Sequence, residues 1–254
     1  MENEKIRKTV REGYAKIARE SCSCGSGGAS CCGGTASAES FLEGMGYSAE
    51  DLAGVSEGAI AGLACGNPIA HAKPRPGETV LDLGSGPGLD CFIAAKTVGP
   101  EGSVVGVDMT PEMIDRARRA ASDGGFENVE FRLGEIENLP VADSSVDIVI
   151  SNCVVNLSPD KARVFREAFR VLRAGGRLVV SDIVLLGALP DALRDSDEML
   201  VGCVANASPK EEYLWFIREA GFENVEALEE RIYPIEGFGA DSPAASVVVR
   251  AIKR

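Results

Sequence analysis

The sequence predicts a doubly wound α/β fold: a mostly parallel sheet with helices on both faces. Three observations predict it. From residue 79 onward, short runs rich in Val, Ile and Leu alternate with segments of helical periodicity, the pattern of repeated βα units. A glycine loop, Asp82-Leu-Gly-Ser-Gly-Pro-Gly88, follows the first such run and opens a helical segment, as a nucleotide-binding turn does. The last two strand-like runs have a long connection without a helix, so they pair antiparallel.

The elements follow in order. Residues 4–20 form an amphipathic helix, with Ile6, Val10, Tyr14 and Ile17 near helical spacing. Residues 21–37 are glycine, serine and cysteine with no core-forming run, which predicts a flexible loop. Ser48-Ala-Glu-Asp51 reads as a capping-box start to a short helix. A glycine-rich stretch from Glu57 ends in a turn at Asn67-Pro68. Thr79–Leu83 is the first strand and Leu89–Val98 its helix. Ser103–Val107 is the second strand, ending at Asp108. Thr110-Pro111 supplies an N-cap and a first-turn proline for a helix to Ser122. Val129–Leu133 and Val146–Ser151 are strands three and four. Ser158-Pro159 repeats the cap-and-proline start before a helix over Asp160–Leu172, and Gly175-Gly176 turns into the strand Arg177–Val184. Beyond it come helices over Pro190–Leu200 and from Ser208-Pro209 to Ala220, then strands Val225–Tyr233 and Ser246–Ile252. This divides the chain into an N-terminal segment (1–74), a nucleotide-binding core (75–184) and a small α+β substrate region (185–254) that completes the sheet.

Composition narrows the function. The 254 residues suffice for one large domain or a domain with an appendage. A net charge of −13 sets duplex nucleic acid aside, because phosphate binding needs clustered cations. No apolar run is long enough to span a bilayer, and the N-terminus lacks an apolar signal core; the expected location is the cytoplasm. Eight cysteines without an export signal are then core thiols, ligands or redox groups, rather than a structural disulfide framework. The single histidine, His71, lies between Pro68 and Pro74 and reads as a loop or surface residue. Serine-histidine catalysis and a histidine-rich metal site are thereby set aside.

The glycine loop has the spacing Gly84-x-Gly86-x-Gly88. A dinucleotide fingerprint needs glycine at 89, where Leu stands, and a P-loop needs a Lys-Ser/Thr pair that is absent. What remains is a nucleoside ligand without phosphates. Asp82 ends strand one, and Asp108 ends strand two, where a carboxylate accepts from a ribose diol. Over residues 75–184 this set resembles the class I S-adenosylmethionine-dependent methyltransferases, whose motif is Asp/Glu-x-Gly-x-Gly-x-Gly. The resemblance implies a Rossmann-like sheet with an antiparallel terminal strand and S-adenosylmethionine as cofactor. It implies that the loop backbone cradles the methionine moiety, that Asp108 holds the ribose and Met109 flanks the adenine. Glu135 and Ile136 would read the adenine edge. Asn152 and Asn156 flank Cys153; for them, backbone groups that meet the methionine amine and a turn-forming role both stand.

Three thiols complete the reading. Cys153 follows the fourth strand, at the edge where open α/β sheets bind ligands. Methyl transfer from a sulfonium needs an in-line lone pair, and an oxygen or nitrogen acceptor usually needs a base as well. Thiolate-bound trivalent arsenic carries its own lone pair and no proton, so it needs only orientation; its softness suits sulfur. Leu63-Ala-Cys-Gly-Asn-Pro68, Ser151-Asn-Cys-Val-Val-Asn-Leu157 and Val201-Gly-Cys-Val-Ala-Asn-Ala207 resemble the three cysteine motifs of arsenite methyltransferases. The resemblance implies that Cys153 and Cys203 hold arsenic throughout and that Cys65 completes a three-coordinate first site, with arsenite and methylarsenite as substrates in arsenic detoxification. One departure is Ala64, where the family carries glycine. The family also links an extra N-terminal cysteine to redox cycling or substrate capture. Here Cys22, Cys24, Cys31 or Cys32 would pair with Cys65 in turnover, to be reduced by thioredoxin or glutathione; adventitious metal capture by this thiol loop stands beside that role. Cys91 reads as core, as do Trp215, Phe216 and Ile217; for Tyr14, closing over the cofactor and packing both stand. Two rivals stay open at this point: methylation of a small organic acceptor with structural cysteines, and a non-catalytic thiol protein that binds metalloids.

Overall fold

A computed structural model describes residues 2–20, 38–60, 63–235 and 237–254. Cys22, Cys24, Cys31 and Cys32, with the loop predicted over 21–37, lie outside the described residues. The sheet has seven strands: β1 Thr79–Leu83, β2 Ser103–Asp108, β3 Val129–Leu133, β4 Val146–Asn152, β5 Leu172–Leu185, β6 Glu223–Ile232 and β7 Ala244–Ile252. Their order is β3-β2-β1-β4-β5-β7-β6. The first five pair in parallel, and β7 runs antiparallel between β5 and β6. The winding reverses between β1 and β4, so the ligand crevice belongs above their C-terminal ends.

Both faces of the central strands β1, β2 and β4 are covered, which is why they read as apolar runs, whereas the edge strands β3 and β6 are largely exposed. Successive side chains alternate between faces. Val80, Ile148 and Val179 pack on one side with Ile69, Phe92 and Ile114. Leu81, Val149 and Val180 pack on the other with Phe165 and Tyr213. The helices that cover them are α4 Pro68–Ala72, α5 Leu89–Val98 and α6 Pro111–Gly124 on the first face, and α7 Lys161–Val171 and α10 Lys210–Glu219 on the second. A third apolar cluster caps the C-terminal ends of the strands; Val10 of helix α1 (Glu2–Glu20), Leu157, Ile183, Cys65 and Cys203 meet there.

The structure differs from the predicted elements in several places. The helix expected over Pro190–Leu200 is two short ones, α8 Asp191–Arg194 and α9 Asp197–Val201. Ser196 interrupts them, and its hydroxyl caps α9 by accepting from Met199 N at 3.2 Å. Ser158-Pro159 does not start α7: Asp160 is the cap, accepting from Arg163 N at 3.0 Å. Ser158 instead donates to Glu137 at 2.7 Å. Likewise α10 begins at Lys210, past Ser208-Pro209. Two unpredicted short helices, α2 Ala38–Gly44 and α4, flank α3 (Ala49–Leu52), whose expected capping box is present at Ser48 and Asp51. His71 lies in α4 rather than in a loop, half-buried, with Nε2 3.1 Å from Glu229 Oε1. Strands β6 and β7 extend the main sheet. Among the described residues no helix is long and apolar enough to cross a membrane.

Candidate active site

An open cavity lies over the ends of β1, β2 and β4. The glycine loop forms one wall. Gly84 has φ +66° and lies so close to Val154 that a Cβ would overlap its methyl groups. Gly86 has φ +51°, and a Cβ there would meet no protein atom within 4 Å, since it faces the cavity. That vacant cradle suits close approach of a ligand to backbone. Asp108 ends β2 with its carboxylate buried; Oδ2 accepts from Gly86 N at 3.0 Å and Oδ1 from Thr110 N at 2.8 Å. Each oxygen keeps a lone pair for a ligand hydroxyl. Met109 and Ile136 supply apolar walls, and Asp82 and Asn152 also line the cavity. These groups fit a nucleoside with a cationic tail.

Two expected cofactor residues are placed otherwise. Gly88 does not line the cavity: it caps α5 with φ +100°, where a Cβ would lie 2.8 Å from Phe131 and Phe92. Its requirement is packing of the helix start. Glu135 is half-exposed and turned outward, 3.6 Å from Arg7 Nε. The acid of this turn that lines the cavity is Glu137, buried and bonded to Arg7 Nη2 at 3.2 Å and to Ser158. Both acids of the turn after β3 reach Arg7 of α1, Glu135 from the solvent side and Glu137 from the buried side, which gives the two-residue shift.

Sequence reasoning also missed Asp90, Tyr47 and Arg7, all of which line the cavity. Asp90 Oδ1 accepts from Tyr47 Oη at 2.7 Å, and Oδ2 accepts from Asn152 Nδ2 at 3.2 Å. Burial pushes the Asp90 carboxyl up to about 6, against the pull of those two donors. Burial also raises Asp82 and Asp108. A signal for Asp90 existed: it is the lone acid in the apolar run Leu89-Asp-Cys-Phe-Ile-Ala-Ala95. Arg7 and Glu137 are 130 residues apart, and nothing local marks their pairing. Cys91 is core, as expected, its thiol donating to Asp82 at 3.3 Å.

The three thiols of the sequence reading come together beside this cavity. Cys65 and Cys153 form a disulfide with Cα atoms 5.8 Å apart. Cys203 is a free, buried thiol that donates to the carbonyl of Cys153 at 2.7 Å. Cys153 itself lines the cavity. The N-terminal cysteines expected to pair with Cys65 in turnover lie outside the described residues; the Cys65–Cys153 bond joins the segment before α4 to the residue after β4, and Cys65 Sγ lies 3.4 Å from Ser181 O on β5. With two sulfurs bonded to each other, no group of three His, Cys, Asp or Glu among the described residues is arranged to hold a metal ion. Both Cys153 (φ 57°) and Cys203 (φ 65°) occupy the left-handed backbone region. Such strain costs on the order of 1–3 kcal/mol per residue and collects at functional sites. Burial, then the charge of Asp182, pushes the Cys203 thiol up, while the Tyr14 hydroxyl 4.0 Å away pulls it down. Tyr14 lines the cavity and donates to Val201 O at 3.3 Å, so it touches both halves of the site.

The chain is similar to proteins already known. The model of the family described as methyltransferase domain matches residues 74–221. The arsenite methyltransferase of Halobacterium salinarum is 51% identical over 258 residues, covering 98% of this chain and 66% of that protein. The human arsenite methyltransferase is 40% identical over 152 residues, 56% of this chain and 40% of its own length. The crystal structure of an arsenic(III) S-adenosylmethionine methyltransferase from Chlamydomonas reinhardtii superimposes with a TM-score of 0.66 at 41% identity, over 75% of this chain and 67% of that one. The chain thus spans two thirds or less of the length of these curated relatives. A matched domain over more than half its length, together with thiols and a glycine loop around one cavity, makes this chain a member of the methyltransferase-domain family, on the branch that holds the arsenite methyltransferases.

Proposed function

We propose that the chain transfers methyl groups from S-adenosylmethionine to trivalent arsenic bound by Cys65, Cys153 and Cys203, accepting arsenite and methylarsenite. The observation that carries this reading is the meeting of three cysteines from distant segments beside the cofactor cavity. Asp108 and the backbone at Gly84 and Gly86 would hold the cofactor, with Met109 and Ile136 on either side of its base and Asp82 and Asp90 toward its cationic end. Bound there, S-adenosylmethionine supplies an electrophilic methyl group on a sulfonium.

The residues present suit an acceptor that needs no deprotonation. The only histidine is engaged with Glu229 and does not line the cavity. Thiolates fix the arsenic and direct its lone pair, so proximity and orientation carry the step. Before Cys65 and Cys153 can both bind arsenic, their disulfide must take up two electrons and two protons. A dithiol such as thioredoxin, or two molecules of glutathione, supplies them and leaves as its own disulfide. A reducing cytoplasm is the compartment that sustains this cycle.

The test is arsenic speciation after incubating purified protein with S-adenosylmethionine, arsenite and a thiol reductant, with Cys153→Ser alongside. Wild type is expected to form methylated arsenic, and the variant none while still binding cofactor. Equal product from both would remove the thiol site from the reaction.

A further inference from the structure

We propose that Asn152 is a positioning residue for the three-thiolate step. Its carboxamide holds Cys65 in the arsenic site and ties that placement to the floor of the cofactor cavity. The inference rests on the function proposed above and adds the residue that decides which acceptor the site can take.

Asn152 is the last residue of β4, one before Cys153. Its Oδ1 accepts from Cys65 N at 3.1 Å, and its Nδ2 donates to Gly66 O at 2.8 Å. One side chain thus satisfies a donor and an acceptor on consecutive residues, as a neighbouring strand would. The segment needs this support. Residues 63–67 belong to no helix or strand, so no ladder fixes them. Its other main-chain tether is the Ser246 hydroxyl, which donates to Cys65 O. The same Nδ2 also has Tyr47 Oη at 2.9 Å and Asp90 Oδ2 at 3.2 Å. Tyr47 donates to Asp90 in turn, and both line the cofactor cavity. A network of four residues therefore runs from the cofactor wall to the first arsenic ligand, with Asn152 as its centre. Among side chains of this length, only a carboxamide offers an acceptor and donors together.

Arsenite has three positions for thiolates, and methylarsenite has two, its third being the methyl group. Cys65 is thus required for the first acceptor and not for the second. Loss of Asn152 releases Cys65 while Cys153, directly after β4, and Cys203, in the turn after α9, stay in place. It should therefore act selectively against arsenite.

The experiment compares wild type, Cys65→Ser, Asn152→Ala and the isosteric Asn152→Asp, with saturating cofactor and a thiol reductant. Initial rates of S-adenosylhomocysteine formation are measured with arsenite and with methylarsenite as separate acceptors. Alkylation of each cysteine, read by mass spectrometry with and without arsenite, reports ligation independently of turnover. The expected result is a fall in the arsenite-to-methylarsenite rate ratio of about tenfold or more for both Asn152 variants, the scale of lost hydrogen bonds to a buried segment. Cys65 should lose its protection by arsenite, while Cys153 and Cys203 keep theirs. A wild-type ratio with Cys65 still protected, in either variant, overturns the inference. Equal loss of both acceptors does so too, since Asn152 would then act through the cofactor or the fold. If Cys65→Ser itself shows no selectivity, the stepwise arsenic reading fails instead, and the two failures are told apart by that control.

Discussion

The two halves of the site are built by different means. The cofactor half takes Asp82, Gly84, Gly86, Asp90, Asp108 and Met109 from one short stretch of chain, carried on the ends of β1 and β2 and the first turn of α5. Backbone ladders and buried apolar faces hold each of these elements. The thiol half joins Cys65 to Cys153 across 88 residues, and Cys153 to Cys203 across 50. Its carriers are an irregular segment, the residue after a strand and the turn after a helix of five residues. Two of its three cysteines have left-handed backbones. A cofactor site can therefore be encoded locally, whereas the thiol site exists only once the sheet has formed. Damage to one half should leave the other standing.

The sharpest break lies in the thiol half. Cys203→Ser removes a sulfur that both proposed acceptors require, so methylation of arsenite and of methylarsenite should fall below detection with cofactor affinity unchanged. Assaying both acceptors beside calorimetric titration of S-adenosylmethionine checks this; retained turnover on either acceptor would place Cys203 outside the ligand set. The converse break is Asp108→Ala. It deletes a buried carboxylate that accepts from Gly86 and Thr110 and is placed to accept from a ribose. Cofactor affinity should fall by about 10- to 100-fold, as for lost hydrogen bonds to a charged group. Arsenite should still protect the three thiols from alkylation. If that protection vanishes as well, the halves are not separable.

The same contrast decided what could be read from the sequence. Strands β1 and β3 and helix α5 have the bounds that periodicity assigns them, because β1 and α5 bury apolar runs and the edge strand β3 alternates around buried Phe131. Asp108, Gly84 and Gly86 fall in the cavity wall for the same reason. Gly88 was legible as a needed glycine, although its need is the contact with Phe92 and Phe131 rather than a ligand. Glu135 was misplaced because the turn after β3 has no period to fix its direction, and Glu137 faces inward instead. Around the thiols, Ser196 splits a helix that composition alone runs straight through. The seryl-proline pairs at Ser158 and Ser208 lie outside their helices, which open at Lys161 behind the Asp160 cap and at Lys210 directly after Pro209. The three cysteines were legible as motifs, yet their bond, and the carboxamide that holds Cys65, depend on contacts made across the sheet.

The smallest expected effect separates the halves by titration. Asp182 on β5 is fully buried beneath the thiol site. It accepts from Asn156 Nδ2 and Tyr213 Oη at 3.0 Å each, and from Ile183 N at 3.2 Å. Burial pushes its carboxyl up to about 7 despite these donors and the charge of Lys161. Lys161 is itself lowered to about 8 by burial. A carboxyl raised above its unfolded value near 4 binds its proton more tightly when folded. Its stabilising contribution is therefore complete below about pH 4 and is lost as pH climbs through 7. Asp182→Asn should reduce the loss of folding stability between pH 5 and pH 7 by roughly 1–2 kcal/mol, part of the ideal slope being offset by the nearby lysine. Urea unfolding at the two pH values measures it, and equal losses in variant and wild type would mean that Asp182 does not change its ionisation on folding. The slope that survives in the variant belongs partly to Asp82, Asp90 and Asp108 in the cofactor half, whose carboxyls are raised in the same sense. Cationic S-adenosylmethionine, by favouring their ionised forms, should flatten that remaining slope while leaving the Asp182 share in wild type intact.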